Sequence, residues 1–152
     1  MSKNLSLKLD RLMPGLANLD HDLRLKVGVL EGATNVENRE LVAEYAAKNE
    51  FGTSEIPSRP AMRTTLMLHE KDYAEALAWL LSTSSEPETA LRQLGEVIRG
   101  NMVESIKEWK DPPNSSETIK HKLEKTNGRV GNAPLYETGA YVGSISYEVV
   151  KE

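Results

Sequence analysis

Leu23, Leu25, Val27 and Val29 alternate with Arg24, Lys26 and Gly28, the period-two pattern of a strand with one buried face. Upstream, Leu5, Leu9, Leu12 and Met13 fall at helical spacing and stop at Pro14-Gly15, which predicts an N-terminal helical segment within residues 1–22. Downstream, Thr34-Asn35-Val36-Glu37 has the form of a capping box, and Leu41, Val42, Tyr45, Ala46 and Asn49 recur at helical spacing as far as Phe51-Gly52. Gly52 is suited to the left-handed conformation that ends a helix.

Two longer stripes follow. Met62, Leu66, Tyr73, Leu77 and Leu80 predict a helix from Pro60 to about Leu81, with Pro60 at its first position, and Ser82-Thr83-Ser84-Ser85 breaks it. Ser85-Glu86-Pro87-Glu88 reads as a second capping box, followed by Leu91, Leu94, Ile98, Met102, Ile106 and Trp109. Burying six such side chains contributes roughly 9–18 kcal/mol, against about 1 kcal/mol for each of Gly95 and Gly100 inside the helix. Packing wins, the two helices are expected to form an antiparallel hairpin, and both glycines are read as tolerated helix residues rather than close-packing sites. Asp111-Pro112-Pro113-Asn114 ends the second helix. A short basic helix is expected between Asn114 and Lys125, then a loop to Pro134, one helical turn from Thr138-Gly139, and a closing strand through Ile145, Tyr147 and Val149.

A chain of 152 residues with 39% hydrophobic and 28% charged positions suits one globular core; residues 23–152 are read as one domain. The mean hydropathy of -0.48 indicates polar appendages to it. The net charge of -4 gives no overall attraction to a phosphate backbone. With no cysteine there is no thiol chemistry, disulfide or thiolate metal site. The longest apolar run, Ala76 to Leu81, falls far short of the ~20 residues that span a bilayer, and the N-terminus lacks a secretory core. A soluble, cytoplasmically made protein without membrane contact is therefore expected.

No catalytic motif is visible. His21, His69 and His121 stand in unrelated contexts without a second histidine at ligand spacing, and His69-Glu70 lacks the partner of a zinc helix. Gly143-Ser144 lacks the second glycine of a nucleophile elbow, and Gly28, Gly32 and Gly52 are too dispersed for a phosphate loop. The expectation is a non-enzyme with no cofactor and no metal. An acid pair assembled in space from the 23 carboxylates remains a third reading, with no motif behind it.

The most specific stretch is Glu50-Phe51-Gly52-Thr53-Ser54-Glu55-Ile56-Pro57-Ser58-Arg59-Pro60-Ala61-Met62-Arg63. Pro57 and Pro60 fix their own φ and push Ile56 and Arg59 toward extended backbone, so the segment reads as a stiff arm. Arg63 falls in the first turn of the following helix, where a cation opposes the helix dipole and calls for an acid. Glu50 and Glu137 are the candidate partners of Arg59 or Arg63, within the chain or across a subunit boundary. Phe51, the sole phenylalanine, is expected to anchor the core at the foot of the arm.

The run Ala43-Glu44-Tyr45-Ala46-Ala47-Lys48-Asn49-Glu50-Phe51-Gly52-Thr53, followed by Ile56-Pro57-Ser58-Arg59-Pro60 and Arg63, resembles the tail-completion or neck proteins of long-tailed double-stranded DNA bacteriophages. Pro134-Leu135, Thr138-Gly139 and Ser144-Ile145 match that family's second signature, within Leu135-Tyr136-Glu137-Thr138-Gly139-Ala140-Tyr141-Val142-Gly143-Ser144-Ile145. The resemblance spans roughly residues 23 to 150. It departs at Ala61, where the family commonly has phenylalanine, and at Tyr141, where it has leucine.

What the resemblance implies is an α+β fold, a small antiparallel sheet packed against two long helices, with short extra helices and extended loops. It further implies a structural virion protein that forms a hexameric ring at the head-tail junction. Its partners would be other copies of itself, head-closure or adaptor proteins, and tail-terminator or tail-tube proteins, and DNA would pass through the channel without specific binding. The acidic balance suits a lumen that repels the duplex. A sibling reading is a tail terminator capping the tube. A reading from another class is a small nucleic-acid-binding module built on Lys120, His121, Lys122, Lys125 and Arg129, opposed by the acidic total and the lack of interleaved aromatics.

Overall fold

The computed structural model describes residues 22–30, 41–129, 133–136 and 139–151. In chain order these form β1 (Leu23–Val29), α1 (Val42–Phe51), α2 (Ala61–Thr83), α3 (Pro87–Glu108), α4 (Ser116–Lys125), α5 (Ala140–Ser144) and β2 (Ile145–Lys151). The fold is α+β, with a two-stranded antiparallel sheet and two long helices among five in the described residues. The predicted helix over Leu5–Met13 and the capping box at Thr34–Glu37 lie outside the described residues; α1 starts at Val42.

α3 is the shared wall. Pro87, Ala90, Leu94, Gly95, Ile98, Met102 and Ile106 are its buried positions, and it packs against both strands and against α2. β1 and β2 pair in register from Leu23 opposite Lys151 to Val29 opposite Ile145, which places Leu25 beside Val149 and Val27 beside Tyr147 on one face. α2 returns antiparallel to α3, and the Asn101 amide donates to the Tyr73 hydroxyl at 2.9 Å, tying the hairpin along its length. Residues from Val42 on α1 to Ile145 on β2 contribute to one hydrophobic cluster.

Several local expectations change. The helix-start pattern at Ser85 does not close as a capping box: Glu86 is the N-cap without a side-chain bond, and the Ser84 hydroxyl instead accepts from the Glu86 amide at 3.1 Å. Pro60 is the N-cap of α2 rather than its first residue. Leu66 stands at the exposed boundary of α2, because Thr65 takes the inward place with its hydroxyl bonded to the Ala61 carbonyl at 2.7 Å.

Gly95 is the larger correction. A Cβ there would lie 2.6 Å from Tyr147 Cδ2, 2.8 Å from Tyr147 Cγ and 2.9 Å from Leu25 Cδ1. The glycine lets the sheet approach α3 across its own backbone, so it is a close-packing site. Gly100 meets nothing within 4 Å and is the tolerated residue it was expected to be. The pair makes a controlled test by chemical denaturation. Gly100→Ala should stabilise by about 0.5–1 kcal/mol through helix propensity, whereas Gly95→Ala should lose about 1–3 kcal/mol by overpacking. Equal effects at the two sites would refute the close approach.

Candidate functional site

α1 turns its inward face through Val42, Ala46, Asn49 and Glu50, all buried. The next residue, Phe51, lies past that face and is 68% exposed, so it is not the core anchor the sequence suggested. Its ring carries the Arg63 guanidinium 4.7 Å from its centroid, an exposed cation–π contact worth about 0.5–1 kcal/mol. Gly52 then reverses the chain at φ 76°, and a Cβ there would sit 3.0 Å from the Ser58 nitrogen and 3.1 Å from the Ile56 oxygen. Only glycine fits this turn without displacing backbone.

The arm that follows is stitched down. Thr53 donates its amide to the Ile56 carbonyl at 2.8 Å and accepts from the Glu55 and Ile56 amides on its hydroxyl. The Ser58 hydroxyl donates to the Glu50 carbonyl at 2.9 Å, and the Arg59 amide to the Asn49 carbonyl at 2.6 Å. These bonds fold the segment, stiffened by Pro57 and Pro60, back along the end of α1 as a tongue rather than letting it project.

This return brings Glu50 to the start of α2. The carboxylate, in a residue 3% exposed, accepts from the Met62 amide on Oε2 at 3.2 Å, and from the Arg63 amide at 2.8 Å and Arg63 Nε at 3.2 Å on Oε1. Arg63 Nη2 also donates to the Glu50 carbonyl at 2.6 Å. α2 has no acid in its first turn and no side-chain cap of its own. Glu50 therefore supplies, from another helix, the negative charge and acceptors that its N-terminal amides require, and balances Arg63. The ion pair forms within one chain.

Arg59 takes different partners. Its Nε donates to the Pro112 carbonyl at 2.8 Å and its Nη2 to the Pro113 carbonyl at 2.9 Å. Burial lowers its pKa below the ordinary arginine value, with Tyr45 acting in the opposite direction, and a buried guanidinium hydrogen-bonded in this way keeps its charge. Glu137 and Thr138 lie outside the described residues.

The rest of the second signature meets the first. Pro134 and Leu135 are buried, and Gly139, at φ 83°, opens α5. Ser144 donates its hydroxyl to the Tyr141 carbonyl at 2.7 Å, and the buried Ile145 starts β2. Tyr141 stands edge-on to Tyr45 of α1, with ring centroids 5.7 Å apart and planes at 84°. Its buried hydroxyl has no hydrogen-bond partner among the described residues. Burial, and next the Glu50 carboxylate, push that hydroxyl well above its ordinary 10.0. Glu50, Tyr45 and Tyr141 thus join two segments far apart in sequence at one end of the core, and Ala61, where the resemblance expects a larger residue, is wholly buried.

Lys122, a member of the basic cluster in the sequence, is only 4% exposed. Its Nζ donates to the carbonyls of Ala133 (3.0 Å), Pro134 (3.3 Å) and Tyr136 (3.2 Å). It is withdrawn from any phosphate, which leaves Lys120, His121, Lys125 and Arg129 without their central member. The available signal was positional: Lys122 shares a helical face with Ile119 and Thr126.

Among the described residues no group of three or more His, Asp or Glu side chains could hold a metal ion, and no helix is long and apolar enough to cross a membrane. His69 contacts Asp72 at 3.3 Å on an exposed surface. The carboxylate at the heart of the site is occupied with backbone amides, an arrangement that positions helices rather than reacting groups. Compared with protein families, curated proteins and solved structures, the chain matches none.

Tyr141 gives a pH-dependent test. Its folded pKa is raised above the unfolded value of 10.0, so the unfolded chain loses this proton first and stability falls as pH rises past about 10. Tyr141→Phe should be neutral or stabilising by up to about 1 kcal/mol at pH ~8. It should then lose less stability than the parent between pH ~8 and ~10.5 in denaturant titrations. Parallel losses in the two proteins would show that the hydroxyl is not held in this way.

Proposed function

We propose that this chain is a structural virion subunit that forms a ring at the head-tail junction of a long-tailed bacteriophage, completing the tail and joining it to the DNA-filled head. The observation that carries the reading is the meeting of the two signature segments through Glu50, Tyr45 and Tyr141. Polar groups of the first segment are engaged with backbone amides and carbonyls: Glu50 with the start of α2, Arg59 with Pro112 and Pro113, Ser58 with the end of α1. Such a site fixes shape, as an assembly subunit requires. Shape in turn leaves Phe51 at the end of α1 and Met67 and Leu68 on α2 exposed, where they are suited to contact neighbouring subunits. Thr53 and Ile56 shape the tongue that follows Phe51.

In this reading the partners are further copies of the chain, head-closure or adaptor proteins and tail-terminator or tail-tube proteins, with DNA crossing the ring unbound. Lys122 in its buried seat favours this over a nucleic-acid module. Electron microscopy of lysates from a phage carrying an early stop codon in this gene should show filled heads beside free tails of normal length. Overlong tails would transfer the role to tail termination, and intact infectious particles would overturn both. A point variant sharpens the test. Phe51→Ser should alter folding stability by no more than about 1 kcal/mol, since it removes only an exposed contact, while lowering the yield of joined particles. An unchanged yield would remove Phe51 from the interface.

A further inference from the structure

α4 is tied to the rest of the molecule in an unusual manner. Its one buried residue is Lys122, and it packs broadly against no other element among the described residues. Leu123 is exposed, so apolar burial contributes little. The helix is locally self-sufficient: the Ser115 hydroxyl caps it by accepting from the Thr118 amide at 3.2 Å. What fastens it are two buried cations on carbonyls of irregular backbone. At the entry, Arg59 reaches out from the tongue to Pro112 and Pro113. At the far end, Lys122 reaches back to Ala133, Pro134 and Tyr136.

The entry also carries an opposing cost. Trp109 Nε1 and Asn114 Nδ2 are buried donors with no partner among the described residues, and they flank the two prolines that Arg59 holds. Seating this segment leaves both donors unsatisfied and keeps Arg59 and Lys122 desolvated; lifting it hydrates all four groups. Seating therefore carries a cost that lifting removes, the condition for a segment that opens below the global transition.

We propose that residues 110–125 form a strap that opens and closes as one unit, latched by Arg59 at one end and Lys122 at the other. Opening loosens the backbone next to Trp109, which packs against the core, and frees the backbone that seats the buried Leu135. The proposal does not depend on the assembly role.

Hydrogen exchange of the full chain, read by mass spectrometry, tests it. Amides of residues 114–125 should exchange together, about 100-fold or more faster than those in the middle of α3. Lys122→Met should accelerate exchange about ten-fold or more both at 133–136 and at the distant 110–118, with α2 and α3 unchanged, and Arg59→Lys should do the same from the other end. In a Trp79→Phe background, which removes only an exposed indole and leaves Trp109 as the single tryptophan, acrylamide quenching should rise in the Lys122→Met variant. Exchange as slow as in α3 would overturn the strap. So would a latch variant that affects only its own end. If Lys122→Met does not fold, the parent protein and Arg59→Lys decide the matter by the same two criteria.

Discussion

A buried carboxylate on one helix closes the N-terminus of another, and much of the molecule's arrangement follows from that contact. Isolated from water, the Glu50 side chain would be costly. It is tolerable because its oxygens take two backbone amides and the Arg63 guanidinium, in charge-assisted bonds stronger than neutral ones. To reach them, the chain must fold back within nine residues of leaving α1. Gly52 turns at positive φ, Thr53 holds the tip of the reversal, and Ser58 and Arg59 bond to the last carbonyls of α1. The tongue, the start of α2 and the end of α1 are consequently one rigid corner.

That corner is joined to a core organised by α3. The sheet and α2 both pack against α3, and the two strands come from opposite ends of the described chain. Such a long-range pair forms little by local preference, and its stability depends on the wall it covers. Gly95 sets how near it can come. α5 bridges the two regions, since Tyr141 faces Tyr45 and the Glu50 field while Ile145, immediately after it, begins β2.

Period and composition made the long elements legible. The alternation at Leu23–Val29 and the stripe from Leu94 to Ile106 depend only on which face is apolar, and both appear where that pattern places them. The acid needed near Arg63 was legible as well, because a cation in the first helical turn is a local electrostatic fact. What could not be read were contacts whose partner is remote in sequence. Gly95 advertises a cost in its helix, but the Tyr147 ring that explains it arrives from the last strand. Lys122 looks like a solvated charge until the carbonyls at 133–136 close over it. Phe51 was misplaced for a different reason: the inward face of α1 is completed by the polar Asn49 and Glu50, and hydrophobicity alone points to the wrong residue.

The central claim is that Glu50 acts chiefly as the cap of α2, with the salt bridge to Arg63 secondary because the arginine side chain is 51% exposed. A double-mutant cycle with Glu50→Gln and Arg63→Met, followed by chemical denaturation, separates the two contributions. The account predicts a loss of about 2–4 kcal/mol for Glu50→Gln, with a coupling to Arg63 below about 1 kcal/mol. A loss that disappears when Arg63 is already replaced would contradict it.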